Sequence, residues 1–246
     1  MNKENVLEIL NSCDNLTKKY TFSDAICDSY LVEKNINAVG YPVFEDNKNI
    51  GKIYPNYRYA LIIELPDKNN NEILTSLLMN PSNTYPEHKE SNKNKNARFD
   101  NTIRNLIILA DKMNFSTVVV LNTFPLIEGS GKKAAKHYED NKSNSQYALN
   151  REFIKRILRQ KEYQNLLIAC GDKVLSQLYK YYLNILKDEN IKLWTYAEKL
   201  TCNGRPRHLS TQSNENRNLF NNSKKLYGLK LKNNNLELNH EIWECI

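Results

Sequence analysis

Three short polar clusters, two of them at the ends of apolar runs, define by their residue types the chemistry open to the chain. Asn80-Pro81-Ser82 follows the run Leu77-Leu78-Met79. Asparagine there either closes a strand through an Asx-turn or presents an amide to a crevice, where it can hold water or substrate. Asn122-Thr123 ends a β-branched run, Ser116 to Leu121. A buried amide needs partners, either in a neighbouring loop or on the edge of a flat base. The third cluster is Gly204-Arg205-Pro206-Arg207-His208. Its two guanidinium groups suit an anion or phosphate. His208 is either structural or able to stabilise developing charge and donate to a carbonyl oxygen. A basic run, Lys132, Lys133, Lys136 and His137, is either a solvated loop or a phosphate contact.

Several chemistries are not expected. The five cysteines are scattered and form no CxxC pair, and the four histidines show no ligand spacing. Neither a metal site, a disulfide framework nor any cofactor is expected. The chain has no GxGxxG, no GxxxxGK[ST] and no GxSxG, which argues against dinucleotide, P-loop and α/β-hydrolase sites. No apolar run approaches the roughly 18 residues of a membrane span. The N-terminus lacks a basic region followed by an apolar stretch, so a cytoplasmic location is expected. The 35 Lys and Arg against 28 Asp and Glu give a formal charge of +7 over 246 residues. That excess admits a polyanionic partner with salt-dependent affinity, and equally a solvated basic surface. Fifteen tyrosines offer stacking surfaces, though most tyrosines in a domain this size simply pack.

The elements that must position these clusters follow from periodicity. Residues 1–20 carry Val6, Ile9, Leu10 and Cys13 on one side of a short helix. Residues 21–55, broken by Gly40, Pro42, Gly51 and Pro55, complete an N-terminal helical or irregular cap over 1–55. The main α/β domain then runs over 56–246. Strands are expected over 57–65, 73–79, 116–123, 165–170, 191–196 and 226–231. Helices are expected over 100–114, 146–159 and 172–187, with a short one near Leu219. Residues 83–97 and 128–144 read as exposed basic loops, and the C-terminal tail as weakly ordered. Strand and helix alternate, which predicts a three-layer α/β/α domain around a mainly parallel sheet. In such sheets ligands bind beyond the C-terminal strand ends, where all three polar clusters fall.

The motifs also carry a resemblance. Tyr57-Arg58-Tyr59, Met79-Asn80-Pro81-Ser82, Asp100-Asn101-Thr102-Ile103-Arg104, Val120-Leu121-Asn122 and Gly204-Arg205-Pro206-Arg207-His208 occur in order. Residues 57–212 thereby resemble the bacterial and phage family known as domain of unknown function 1643. That group in turn is similar to the uracil-DNA glycosylase superfamily, in particular its mismatch-specific branch, whose first motif is Asn-Pro followed by a small residue.

This resemblance implies a uracil-DNA glycosylase-like fold and a monofunctional DNA glycosylase that needs no metal or cofactor, its partner being DNA. It implies that Asn80 positions the attacking water and that Asn122, with Thr123, holds the flipped base. His208, in His208-Leu209-Ser210, would press on the DNA and stabilise the departing base, and Phe99 would stack on it. Lys132, Lys133, Arg205, Arg207 and Ser210 would meet the DNA. Ser82 stands where uracil-specific enzymes have Tyr, which implies room for a pyrimidine with a bulky 5-substituent or for a damaged base. Such bases mark some phage genomes, so anti-phage defence is the role this suggests. A monomer is expected. A non-catalytic nucleic-acid or nucleotide binding module on the same sheet is the alternative, and a small-molecule hydrolase a third.

Overall fold

A computed structural model describes residues 20–21, 37–43, 57–65, 68, 70–81, 100–187, 191–210 and 225–244. The expected helix within 1–20, the loop 83–97 and the short helix near Leu219 lie outside them. Among the described residues, nine strands form one sheet: β1 (Tyr20–Thr21), β2 (Asn37–Val43), β3 (Tyr57–Glu64), β4 (Ile73–Leu78), β5 (Thr117–Asn122), β6 (Asn165–Ile168), β7 (Lys192–Thr195), β8 (Lys225–Lys232) and β9 (Asn235–Glu244). Their order is β1-β2-β3-β5-β4-β6-β7-β8-β9. The helices are α1 (Asn101–Lys112), α2 (Gly131–Asp140), α3 (Ser145–Leu158) and α4 (Ser176–Lys187). Among the described residues, no helix is long and apolar enough to cross a membrane.

The fold is mixed α/β. The four central strands β5-β4-β6-β7 are parallel, while β1, β2, β3, β8 and β9 join antiparallel on the two flanks. The expectation of a mainly parallel sheet therefore holds for the centre alone. Among the described residues, α1 to α4 lie between the four central strands in sequence, and long crossovers of this kind are what return a chain parallel to itself. Of residues 1–55, strands β1 and β2 extend the same sheet beyond β3.

The centre is buried on both faces, which explains its near-continuous apolar runs. On one face Leu61, Ile63, Leu74, Leu78, Val118 and Val120 pack against Ile103, Leu106 and Ile107 of α1. On the other, Ile62, Ile73, Leu77, Val119 and Leu121 pack against Ala134, Phe153, Ile154 and Leu183 from α2, α3 and α4. Each fully buried aliphatic side chain here contributes about 1.5–3 kcal/mol over its exposed state. Asp100 starts α1 by accepting from the Thr102 and Ile103 backbone N–H groups at 2.7 and 2.9 Å, a cap worth about 1 kcal/mol.

One irregularity bears on function. Tyr41 of β2 faces Ala60 of β3, but Pro42 faces Arg58, so Tyr59 is an extra residue. Proline, having no N–H to donate, is tolerated at such a bulge. The extra residue reverses the alternation of β3. Tyr57, Tyr59, Ala60 and Ile62 all belong to the core on the α2–α4 side. Arg58 is left on the α1 side, beyond Leu61 and Ile63.

Three local expectations are corrected. The segment 128–144 is not simply a loop, since 131–140 form α2. Its lysines hide a narrow apolar face, Ala134 and Ala135, and Lys136 pairs with Asp140 one turn on. Helix α4 begins at Ser176 rather than Asp172, after a turn over 172–174. The tail is ordered, as 235–244 form β9. It returns on β8 through a two-residue turn in which Asn233 and Asn234 have φ of 51° and 58°. Both positive values are those of the hairpin turn that Asn and Gly favour.

That turn makes a first prediction. Asn234→Val should cost about 1–2 kcal/mol, the penalty of a β-branched residue in the left-handed region, while Asn234→Gly should be neutral or slightly stabilising. Denaturant unfolding of the two variants measures this, and equal loss in both would refute it.

Candidate functional site

The parallel strands end beneath a cavity of about 860 Å³, within the range of small-ligand sites. Its floor includes Leu78, Val120 and Ile103 from the α1-side core. Asn80, Pro81, Asn122, Arg207, His208 and Ser210 all line it. Residues far apart in sequence, from Arg58 to Ser210, thus meet in one place.

Asn80 lies just past β4. Its Nδ2 donates to the carbonyl oxygens of Pro81, at 3.1 Å, and Glu128, while the Glu128 N–H donates back to the Pro81 carbonyl at 3.0 Å. Both amide hydrogens are thus occupied by this strap. The amide oxygen is left as the acceptor, and it accepts nothing among the described residues. The side chain does not close the strand as an Asx-turn acceptor. Gly131 sits beside it, because a Cβ there would come 1.9 Å from the Met79 methyl and 3.6 Å from Asn80 Oδ1.

Asn122 ends β5 in register with Leu78 of β4. It is 1% exposed, and its Nδ2 finds no hydrogen-bond partner among the described residues. Leaving a buried donor unpaired costs about 1–3 kcal/mol. Its backbone is held instead. Asn150 of α3 donates to the Asn122 carbonyl at 2.9 Å, and the Tyr182 hydroxyl of α4 donates to the Thr123 carbonyl at 3.0 Å. Burial pushes the Tyr182 phenol strongly up, so it stays a neutral donor.

His208 is held from several sides. Leu209 is fully buried in the α1-side core, and Asn105 of α1 donates to its carbonyl at 2.7 Å. The Tyr196 hydroxyl donates to the His208 carbonyl at 3.0 Å. Gly171, with φ of 70°, lets this loop rest on the end of β6, where an added Cβ would lie 3.0 Å from the His208 Cβ. The Ser210 N–H donates to His208 Nδ1 at 3.0 Å. An acceptor at Nδ1 puts the proton of the neutral ring on Nε2, making Nε2 a donor. Burial pushes the imidazole pKa down to about 4, opposed by the Asp100 carboxylate and assisted by Lys173. The ring is neutral at pH 7.

Not every expected site residue presents its side chain to the cavity. Thr123 is buried, and its hydroxyl donates to the Met79 carbonyl at 2.7 Å, tying β5 to β4. The Arg205 guanidinium serves the start of α4, donating to the carbonyls of Asp172 and Val174 and to Ser176 Oγ, and it covers the Tyr179 ring. Lys132 and Lys133 are exposed on the first turn of α2, outside the cavity lining. Arg207 lines the cavity while its Nε donates to the Lys199 carbonyl at 3.1 Å. Ser82 and Phe99 lie outside the described residues.

The cavity also gathers residues that sequence reasoning passed over as site residues: Arg58, Glu128, Cys170 and Lys173, and Asp100, read there only as a helix cap. Arg58 had a signal, being one cation inside the apolar run 57–65. The others had none, since their neighbours in space are distant in sequence. Burial pushes the Cys170 thiol up to about 12, so it is no thiolate nucleophile. The carboxylates are engaged. Asp100 caps α1, Glu128 accepts from the Ser130 N–H at 2.9 Å, and Asp172 accepts from Thr201 Oγ1 at 2.6 Å.

His208 makes a prediction about pH. Above its ordinary pKa of 6.5, folded and unfolded chains carry the same neutral ring. As pH falls from 6.5 towards 4, the unfolded chain takes up a proton that the folded one refuses, so stability is lost across that window. His208→Gln should lose less stability than the parent between pH 6.5 and 4 in denaturant titrations. Parallel pH curves for the two would contradict this.

No curated protein and no solved structure matches the chain. Residues 58–208 match the family described as Protein of unknown function (DUF1643). The match begins at Arg58 and ends at His208, so it takes in the described cavity wall almost entire. It spans well over half of the sequence, and the chain belongs to this family.

Proposed function

We propose that the protein is a monofunctional DNA glycosylase that flips a modified pyrimidine or damaged base into this cavity and leaves an abasic site. The observation that carries the reading is Asn122, a buried amide whose donor has no partner among the described residues and which lines a cavity of ligand size. Such a group calls for an acceptor, which a water or the edge of a ligand can supply. A base can do so, and a base inside a duplex must leave the stack to arrive.

The remaining groups fit the steps of that reaction. Cleavage of the N-glycosidic bond passes through an oxocarbenium-like sugar. The Asn80 amide oxygen orients a water towards C1′ without removing its proton. His208, neutral and with its proton on Nε2, donates to the pyrimidine O2 as negative charge grows there. DNA phosphates stabilise the positive sugar, and exposed Lys132 and Lys133 on α2 meet the backbone, with Arg207 and Ser210 at the cavity rim. Phe99 would stack on the base. Ser82 would leave room for a 5-substituent, the property that ties the reading to modified phage genomes and to defence against them. A uracil-DNA glycosylase-like three-layer architecture accords with helices on both faces of the sheet.

One observation favours a second reading. The lining carboxylates are all engaged, so no described side chain serves as a general base. A module that binds a nucleotide or nucleic acid without cleaving it fits that feature as well.

Asn80→Ala separates the two. On the glycosylase reading it should lower base release by about 100-fold or more, the usual cost of a misplaced reactant, and leave DNA affinity unchanged. The assay measures free base and abasic sites from DNA containing uracil or 5-substituted pyrimidines. DNA binding with no release from any substrate by the parent protein would leave the binding module.

A further inference from the structure

The start of α2 lies on the cavity wall and is left open. Gly129-Ser130-Gly131 leads straight into the helix, and both glycines line the cavity. Having no side chains, they let a ligand approach the main chain closely. Ser130 stands at the N-cap in an extended conformation, yet its side chain caps nothing. The first backbone bond of the helix runs from the Ala134 N–H to the Ser130 carbonyl, so the N–H groups of Gly131, Lys132 and Lys133 have no partner within the helix. Among the described residues they donate to nothing else.

Charge points the same way. The first turn carries Lys132 and Lys133 and no acidic residue, and the helix dipole adds partial positive charge at this end. One carboxylate on the same wall opposes it, that of Glu128, whose Oε1 accepts from the Ser130 N–H at 2.9 Å. Lys136 and Asp140 neutralise each other further along the helix. Open N–H groups after glycine are the arrangement that holds phosphate at helix starts. A helix start alone would name no ligand. The same cavity, however, is lined by Asn122, 1% exposed and with an Nδ2 that has no partner among the described residues. Gly131 also lies beside Asn80, since a Cβ there would come 3.6 Å from Asn80 Oδ1. An acceptor edge against Asn122 and an anion at α2 together describe a nucleotide.

We propose that the start of α2 is the phosphate subsite of the cavity, its three open N–H groups and two lysines holding the phosphate of a nucleotide whose base lies against Asn122. The placing of the base rests on the glycosylase reading, in which this phosphate is a diester of the DNA strand beside the flipped nucleotide. A free nucleotide offers the same group as a monoester, which is its source on the binding-module reading.

Ser130 provides the test. A side chain that caps α2 fills the open N–H groups, so it should raise stability and lower phosphate affinity together, whereas a plain helix start predicts the gain in stability alone. Ser130→Asn caps without charge and Ser130→Asp with one, and each should raise the thermal midpoint by about 2–4 °C. Calorimetry on the full chain compares 5-hydroxymethyl-2′-deoxyuridine with its 5′-monophosphate. The monophosphate should bind the parent about tenfold tighter or more, the worth of hydrogen bonds to a charged group. In parallel, affinity for DNA carrying the same base is followed against salt, where one phosphate contact contributes about one to the slope. Both variants should lose the monophosphate preference, one unit of salt slope, or both. Loss in the DNA slope makes the strand the source of the phosphate. Loss of the monophosphate preference alone, without base release from the DNA, upholds the subsite and defeats the glycosylase reading. A Ser130→Asn protein with a raised midpoint and neither loss overturns the proposal, and base release by the parent in that case leaves the glycosylase reading standing without it. Should the variants not fold or not cap, Lys132→Ala combined with Lys133→Ala decides by the same two losses.

Discussion

The handedness of the chain crossings on either side of β4 is the constraint from which the site follows. From β4 the chain passes through α1 to β5 on one side. From β5 it passes over β4 through α2 and α3 to β6 on the other. Right-handed crossovers in opposite directions must place their helices on opposite faces, and α1 indeed packs on one face with α2, α3 and α4 on the other. The helices that follow β4 and β6 therefore lie on opposite faces, and a crevice opens at the strand ends between them. The polar ends of β4 and β5, and the His208 loop resting on the end of β6, have nowhere else to meet.

An open crevice at the end of a sheet is costly, and the structure shows how it is held. Thr123 bridges β5 to β4 through the Met79 carbonyl. Asn150 and Tyr182, from helices on the far face, fix the backbone of Asn122 and Thr123. Asn105 and Tyr196 fix the His208 loop from the α1 side. These bonds all go to backbone, so they hold the site without consuming the Asn122 amide, the Asn80 amide oxygen or His208 Nε2. That is the arrangement of preorganised polar groups in a site, whose orientation is set before the ligand comes.

Much of this was legible in the sequence, and the limits have physical causes. The central strands were visible because burial on both faces demands continuous apolar runs; Asn80 and Asn122 stood out because each ends such a run, and His208 because it follows two arginines in a Gly-Arg-Pro-Arg-His loop. Helix α2 was not visible, since two alanines are a faint apolar stripe among lysines. Strand β9 was hidden by its half-exposed face and by a turn made of two asparagines rather than Asn-Gly. Arg205 and Arg207 looked alike in sequence, yet one guanidinium is spent on the start of α4 and the other reaches the cavity. Adjacent charges are sorted by the path of the loop, which composition does not encode. Arg58 was concealed differently. Strict alternation would have put it on the tyrosine side, and only the bulge at Tyr59 sends it to the other.

The protonation states of the site restrict what chemistry it can do on either reading. Cys170 is a neutral thiol, His208 a neutral imidazole with its acceptor nitrogen occupied, and Asn80 an amide. None removes a proton at pH 7. A hydrolysis that depended on making a strong nucleophile is therefore not served by these groups. A reaction in which bond breaking runs ahead of attack is served well, because its barrier lies in charge on the leaving group rather than in the water. Neutral donors and a buried cation in a desolvated cavity act on that charge more strongly than they would in bulk water. On the glycosylase reading, the amide would need only to keep one water in place until the bond has opened. On the glycosylase reading, a site of this composition would discriminate among substrates by leaving-group acidity and by the acceptor that a base offers the Asn122 amide.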